Sequence, residues 1–240
     1  YPNVESVSAF GGEEMTPPRF GKVFISVKPR NGDYLSDFTK RDLVQKLKSY
    51  AVAGIVPEFI DLKYLYVELE SFAYYNTNFA DDPNRLKTAI SNALTTYSRS
   101  IDVNKFGGRF KYSKSQTLVD GVDSSITSNI TRVIMRRNLM AEIGKFAQYE
   151  LCYGNQFHIA ESAYNITSTG FRIEGVNDPV YMADEVIDKK QGRIFFFTYA
   201  EGGTPNIIKK NAGTVKYDIG EILIDTVNIT STVIANGVIE

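Results

Sequence analysis

The sequence predicts an α+β fold, in which a two-layer α/β sandwich is followed by a mostly antiparallel β module. Strand-like and helix-like hydrophobic patterns alternate up to about residue 143. Beyond it no helical stripe persists, and short strand-like runs are separated by Gly, Asn, Asp and Pro clusters. A chain of 240 residues is long enough for two cores. We therefore predict an irregular lead-in at 1–20, a sandwich domain at 21–143 and a β-rich domain at 144–240.

Local patterns define the first half of the sandwich domain. Pro17-Pro18 disfavours helix and sheet pairing, so we expect the lead-in to be irregular. Alternation over Val23–Lys28 predicts the first strand. Ser36 or Asp37 can cap a helix whose apolar positions recur at helical spacing until Gly54.

The second half of this domain continues the alternation. Phe59–Tyr75 is rich in Tyr, Phe, Val and Leu and predicts an unusually long strand. Asp82-Pro83 opens a second amphipathic helix, and a short helix is expected near Ser113–Val119. A third strand is predicted over Ile130–Arg137. Each long helix has one apolar stripe, so we expect both to cover the same face of a single sheet.

The β module contains turn signals between its short strands. Tyr217–Gly220 is typical of a hairpin turn, with Gly220 at a position that needs a positive φ. Residues 233–240 resemble a hairpin with an Asn236-Gly237 turn that is cut off soon afterwards, which indicates a fragment of a longer polypeptide, truncated at its C-terminus. The predicted strands are Tyr149–Tyr153, Phe171–Val176, Arg193–Tyr199, Thr214–Tyr217, Glu221–Ile224 and Thr226–Ile229.

Composition argues against several classes of partner. Basic and acidic residues nearly balance, 27 against 28, and no basic stripe is present, so nucleic acid is not an expected partner. No apolar run is long enough to span a bilayer and no signal segment is visible, so no membrane partner is expected. Cys152 is the single cysteine, so an intrachain disulfide is excluded and the cysteine count does not encode the redox compartment; a reduced, intracellular folding site is the default expectation.

Residues for catalysis or metal binding are scarce. His158 is the only histidine, so every nucleophile–base pair must use it. Cys152 could meet it on a local hairpin, but no third group is suggested, and two such ligands cannot build a zinc site. A small buried thiol and a surface or edge-strand imidazole are the favoured interpretation. We expect no catalytic residue, no bound metal and no organic cofactor.

The acidic clusters fit structural roles better than chemical ones. Asp81-Asp82, Asp120 with Asp123, and Asp184-Glu185 lack the ligand pattern of a calcium loop, and Asp favours caps and turns. Glu68 and Glu70 share a strand face and could imitate a glycosidase pair. A solvated or subunit-facing surface explains them better.

The segment from Ser8 to Ile25, SAFGGEEMTPPRFGKVFI, resembles the signature of baseplate J-like proteins, wedge components of contractile-tailed phages. The likeness continues at Ser124–Ile126, at Arg136-Arg137 and at Gly213–Ile222. It is greatest to the C-terminal part of the baseplate wedge protein of T-even-type phages. The resemblance implies a non-enzymatic structural subunit in the virion tail baseplate, assembled in the host cytoplasm. It also implies contacts with copies of itself, as a homodimer or a higher ring, and with other baseplate wedge proteins.

Two other functions stay open on the residues alone. Aromatic-rich β structure and Asn-rich loops are compatible with a virion-associated carbohydrate-binding module, although the chain has no Trp. A carboxylate-based hydrolase would use the acidic strand face, but the single His and the unpaired acidic residues weaken that hypothesis.

The predicted sheet has one face that the helices leave uncovered. Aromatic side chains and Arg flanked by polar groups alternate onto it, which is a composition typical of a subunit contact. The alternative is that the β module, or a region preceding the chain, covers this face. The candidate interface residues are Phe24, Tyr64, Tyr66, Glu68, Glu70, Phe72, Tyr74, Arg132, Ile134 and Arg136.

Overall fold

The protein forms two compact units in a computed structural model that describes residues 2–15, 17–32, 34–51, 54–79 and 82–240. The first unit comprises 1–63 with 67–134, and the second comprises 64–66 with 135–240. The second unit thus starts upstream of the predicted boundary at 143/144. Three helices and several sheets among these residues give an α+β chain that is dominated by strands.

The two long helices of the first unit begin where local sequence signals place them. The Ser36 side chain accepts a hydrogen bond from the Thr39 amide, and Asp82 accepts one from the Asn84 amide, so both predicted caps are formed. The elements are β1 (Val4–Gly11), β2 (Lys22–Pro29), α1 (Asp37–Lys48), β3 (Val56–Phe59), β4 (Tyr66–Tyr75), α2 (Pro83–Ser98), α3 (Tyr112–Asp120) and β5 (Ile126–Arg136).

The predicted irregular lead-in is wrong, because it contains β1. This strand pairs antiparallel with β2, with Phe10 opposite Phe24. Pro17-Pro18 lies in the connection between the two strands, where it disturbs no ladder. The connection is closed by a hydrogen bond of 2.7 Å from the Arg19 amide to the Gly12 carbonyl. A Cβ at residue 12 would overlap the Arg19 carbonyl, so this close approach requires glycine.

The predicted single sheet of the sandwich is also not found. The order β1-β2-β3 forms one three-stranded sheet in which β2 and β3 run parallel, while β4 and β5 form a separate two-stranded ribbon. The predicted long strand over 59–75 is interrupted at residues 60–65, which are not in a strand. This break lets β3 join β2 and leaves β4 to pair with β5.

The second unit is an antiparallel β structure, as its turn-rich pattern predicted. A sheet of seven strands has the order β7-β13-β12-β11-β10-β8, with β9 also paired to β13. The strands are β6 (Leu139–Met140), β7 (Phe146–Cys152), β8 (Ala163–Thr167), β9 (Phe171–Ile173), β10 (Tyr181–Val186), β11 (Gln191–Tyr199), β12 (Pro205–Lys216), β13 (Glu221–Thr232) and β14 (Val238–Ile239).

The main core of this unit lies on one face of the sheet. Ile194 and Phe196 are buried in it from β11, and Tyr217 from the turn that follows β12. Phe195 and Phe197, which alternate with them on β11, are buried on the opposite face. The central strand β11 is therefore covered on both sides, which explains its continuous apolar run.

The two turns predicted in this unit have different outcomes. Gly220 has a φ of 68° in the turn between β12 and β13, as predicted. Asn236 and Gly237 also have positive φ angles, as an Asn-Gly turn requires. The terminal hairpin is nevertheless wrong, because β14 pairs with β6 rather than with the strand that precedes it.

Candidate protein-interaction face

One side of the β4–β5 ribbon is covered within the first unit. The Ser71 and Thr131 hydroxyls lie 2.8 Å apart across the two strands, which places these side chains on the same side. The Asn129 amide group donates to the Gln116 carbonyl and the Asp120 carboxylate of α3. Helix α3 therefore packs against the side that carries the odd-numbered residues.

The other side of the ribbon, which carries the even-numbered residues, is open among the described residues of this unit. Phe72, Tyr74, Ile130 and Ile134 are 43–61% exposed on it. Because successive side chains of a strand point to opposite faces, these four belong to the side opposite Ser71 and Thr131. Four large apolar side chains on one ribbon form a patch of the kind that marks interaction sites. We call this side the ribbon face.

Charged residues of both signs lie beside this apolar patch. Glu68 and Glu70 are exposed on β4, and Arg132 is exposed on β5. The mixture of exposed apolar groups with acidic and basic groups is the composition of a polar-rimmed protein contact.

The structure brings together six of the ten residues proposed from the sequence. The alternation predicted for the long strand places Glu68, Glu70, Phe72 and Tyr74 on one exposed side, with Arg132 and Ile134 on the neighbouring strand. Phe24 is a correction: it is only 1% exposed, lies in the other sheet and packs 5.7 Å from Phe10. Alternation identified the two faces of β2 but not which of them is buried.

Tyr64, Tyr66 and Arg136 form a separate cluster within the second unit. The rings of the two tyrosines stack with centroids 6.0 Å apart. The Arg136 guanidinium lies 4.5 Å from the Tyr66 ring centre and also contacts the Glu240 carboxylate. Arg136 thus pairs with the carboxylate of Glu240, a partner that the sequence did not predict.

Sequence reasoning missed Ile130, which is the most exposed of the four apolar residues. The predicted strand began at this residue, whereas β5 begins at Ile126. The two-residue alternation of Arg132 and Ile134, extended by one step towards the N-terminus, could have placed Ile130 on the same face.

Cys152 and His158 do not form a buried catalytic pair. Both are exposed, and the Cys152 thiol lies 3.4 Å from a Glu150 carboxylate oxygen. The prediction of a buried thiol is therefore wrong, because the Cys152 side chain falls on an exposed position of β7. Neither Glu68 nor Glu70 lines the small cavity beside Tyr34 and Leu35 or the one within the main core of the second unit.

The acidic clusters have structural partners. Asp82 caps α2, and Asp123 accepts a hydrogen bond from the Ser125 backbone amide. Glu185 forms a salt bridge with Arg193, with a nitrogen–oxygen distance of 3.0 Å. The Asp123 pKa is lowered, first by the hydrogen bond from that backbone amide. Asp81 lies outside the described residues. In the parts of the chain with a described structure, no group of three or more His, Cys, Asp or Glu could hold a metal ion.

Asp184 departs from the expected roles of caps and turns, because it lies fully buried in β10. Its carboxylate accepts hydrogen bonds from the Tyr217 hydroxyl at 2.6 Å, the Ile166 amide at 2.7 Å and the Asn165 side chain at 3.2 Å. Burial, and then the bond to this carboxylate, raise the pKa of the Tyr217 phenol. With three donors, the buried group is a structural anchor of the second unit.

Family comparisons give a consistent result over the first 138 residues. Residues 1–60 match the family described as baseplate structural protein gp6, C-terminal domain I. Residues 63–138 match baseplate structural protein gp6, C-terminal domain III. The chain is gp6-like. The ribbon face lies within the part of the gp6-like chain that matches domain III.

A curated relative supports this placement. The gp6-like chain is 26% identical over 185 residues to baseplate wedge protein gp6 of Enterobacteria phage T4. The match covers 77% of this chain and 27% of that relative, so the chain spans about a quarter of the relative's length. Among the described residues, none of the helices has the length and apolar character needed to cross a bilayer.

Proposed function

We propose that the chain is a structural, non-enzymatic subunit of the contractile tail baseplate of a phage, located in the virion and acting through protein–protein assembly. The observation that carries this proposal is the match of residues 1–60 and 63–138 to two C-terminal domains of a baseplate structural protein. The wedge position is supported by the relative from phage T4. The broader baseplate J-like assignment stays a prediction that rests on the segment Ser8–Ile25.

Assembly with other baseplate wedge proteins and with copies of the chain requires exposed contact surfaces. The ribbon face offers apolar anchors beside charges of both signs. A face that carries Glu70 and Arg132 on neighbouring strands can meet a second copy of itself with opposite charges in register. We therefore propose the ribbon face as a subunit contact, with Phe72 and Ile134 as central anchors.

The experiment replaces both anchors. In Phe72→Ser with Ile134→Ser, each truncation of a buried contact is expected to cost about 2 kcal/mol or more of association free energy. Each such loss weakens binding roughly 30-fold. Sedimentation velocity would measure assembly of the protein alone and with purified baseplate wedge proteins of its phage, and circular dichroism would check folding.

A matched control separates a specific effect from a general loss of surface apolarity. Phe38→Ser with Ile101→Ser changes two side chains that are also exposed, at 82% and 74%, elsewhere in the first unit. We expect the control to assemble like the wild type. A folded ribbon variant that assembles normally would refute the contact but not the baseplate role. A wild-type protein that joins no baseplate protein would refute the role itself.

A further inference from the structure

A lysine, an asparagine and a glutamate from three separate segments meet in the first unit. Glu5 lies on β1, Lys28 on β2, and Asn104 in the loop between α2 and α3. The Lys28 Nζ donates to the Asn104 side-chain oxygen Oδ1 and lies 3.3 Å from a Glu5 carboxylate oxygen. The Asn104 Nδ2 donates to the other oxygen of Glu5 at 2.9 Å. One carboxylate therefore bridges the lysine amine and the asparagine amide nitrogen.

The position of Glu5 depends on an irregularity in the pairing of β1 with β2. Val4 lies opposite Pro29. The next pair is Ser6 with Lys28, so Glu5 is the extra residue of a β-bulge. A bulge redirects a side chain that regular alternation would place on the other side of the strand, and bulges are common beside reactive sites. This bulge brings the Glu5 carboxylate to the Lys28 amine.

The loop that carries Asn104 is held in place by hydrogen bonds of its backbone. The Asn104 amide donates to the Ser100 carbonyl at 2.9 Å, and the Phe106 amide donates to the Ser6 hydroxyl of β1 at 3.4 Å. The Lys28 Nζ also lies 3.4 Å from the Asn104 main-chain oxygen. Groups that the fold keeps in contact in this way can react at rates that free groups in solution do not reach.

The three side chains have the roles that formation of an amide bond requires. The amine of Lys28 is the nucleophile, and it lies beside Cγ of Asn104 because Oδ1 is bonded to that carbon. The Glu5 carboxylate contacts both nitrogens, so it can take a proton from the amine and deliver it to the amide. The side chains of Lys28 and Glu5 are only 16% and 33% exposed, which limits attack by water on the same carbon.

We propose that Lys28 and Asn104 form an intramolecular isopeptide bond, with Glu5 as the catalytic base and acid. Glu5 accepts a proton from the Lys28 ammonium, and the neutral Nζ attacks Cγ of Asn104. The proton passes to Nδ2, the Cγ–Nδ2 bond breaks and ammonia leaves. A second proton from Nζ is released with the ammonia as ammonium, so Glu5 returns to a carboxylate. No other reactant is needed, and each chain modifies itself once, which leaves its non-enzymatic role unchanged.

The bond ties the end of β2 to a loop 76 positions further along the chain. A cross-link over such a span stabilises a fold by restricting the unfolded chain. Both clusters of buried apolar side chains found among the described residues lie in the second unit. The first unit therefore gains more from a covalent link than the second unit would.

The mass of the whole denatured protein tests the inference directly. We expect the wild type to be lighter than its sequence by the mass of one ammonia molecule. Trypsin should release a branched peptide that joins residues 23–30 to residues 100–105, because cleavage after the flanking Lys and Arg residues leaves these two segments. Lys28→Arg and Asn104→Ala remove the nucleophile and the reacting carbon, so both variants should have the full mass of their sequences.

Glu5→Gln tests the role of the carboxylate. The substituted side chain keeps its shape but cannot accept the proton, so bond formation should slow roughly 100-fold or more and the purified variant should be largely unlinked. The control is Lys22→Arg, since Lys22 lies on the same strand and pairs with a different carboxylate, Glu58, at 2.5 Å. This control should lose ammonia like the wild type. Circular dichroism would check the folding of each variant.

A folded wild type with the full sequence mass, both when freshly purified and after a week of incubation, would overturn the inference. A mass loss that persists in Lys28→Arg would also overturn it, because the ammonia would then come from another site. Complete linkage in folded Glu5→Gln would refute the catalytic role of the carboxylate. None of these results depends on assembly with baseplate proteins, so the proposed function would stand or fall separately.

Discussion

Replacing Tyr217 with Phe should destabilise the second unit by removing one donor from the buried Asp184 carboxylate. Both side chains are 0% exposed, and the hydroxyl lies 2.6 Å from the carboxylate oxygen. The ring keeps its packing in Tyr217→Phe, so the change isolates the hydrogen bond. Two donors remain on the carboxylate, from Ile166 and Asn165. The variant should therefore fold, with lower stability.

The size of the effect follows from the charge and burial of the acceptor. A hydrogen bond to a charged group contributes about 1.5–3 kcal/mol, and water cannot easily replace the lost donor at a fully buried site. We expect the free energy of unfolding to fall by about 2 kcal/mol at neutral pH. The control, Tyr199→Phe, removes a hydroxyl from an exposed tyrosine and should change the free energy of unfolding by less than about 0.5 kcal/mol.

The same bond predicts how stability depends on alkaline pH. Burial and the Asp184 carboxylate raise the pKa of the folded Tyr217 phenol above its ordinary value of 10.0. The unfolded chain therefore loses this proton at lower pH than the folded chain. The contribution of Tyr217 is complete below pH 10 and declines as the pH rises above it. The wild type should consequently lose stability more steeply above pH 10 than Tyr217→Phe.

Urea unfolding followed by circular dichroism would measure both effects, at neutral pH and in steps from pH 9 to pH 11. The reasoning would be refuted if Tyr217→Phe and Tyr199→Phe were equally stable at neutral pH. Parallel pH profiles for the wild type and Tyr217→Phe would separately refute the proposed pKa linkage.

Two further changes test local features of the fold. Gly220→Ala should lower the free energy of unfolding by roughly 2 kcal/mol or more, because φ is 68° and the new Cβ would overlap the Asn155 carbonyl. Gly203→Ala should lower the free energy of unfolding by only about 1 kcal/mol, because its φ is 80° but no atom lies within 4 Å of the new Cβ. Equal urea midpoints for the two glycine variants would contradict this difference. Arg136→Met should lower the free energy of unfolding by about 1–2 kcal/mol, because it removes the cation from both the Tyr66 ring and the Glu240 carboxylate. Complete rescue by Arg136→Lys would argue against a specific contribution of guanidinium stacking on the ring.

Features set by neighbouring residues were predictable from the sequence. Helix starts at Ser36 and Asp82 follow from side chains that bond amides two or three residues ahead. The turn at Gly220 follows from its permitted φ. The alternation of β4, and with it most of the ribbon face, follows from the two-residue period of a strand.

Features set by distant residues were decided only by the tertiary structure. The sequence did not reveal that β1 pairs with β2, or that β4 leaves the sheet of β3 to form a ribbon with β5. Strand pairing depends on partners far along the chain, which local patterns do not specify.

Burial shows the same division between local and distant causes. Alternation separates Phe24 from its neighbours on β2, but only packing against Phe10 shows that its side is the buried one. The sequence by itself determined where the exposed alternation of β4 lies. Only the fold could bring Tyr217, Asn165 and Ile166 to the carboxylate of Asp184, because these donors lie far from it along the chain. Their hydrogen bonds are what makes burial of this carboxylate tolerable.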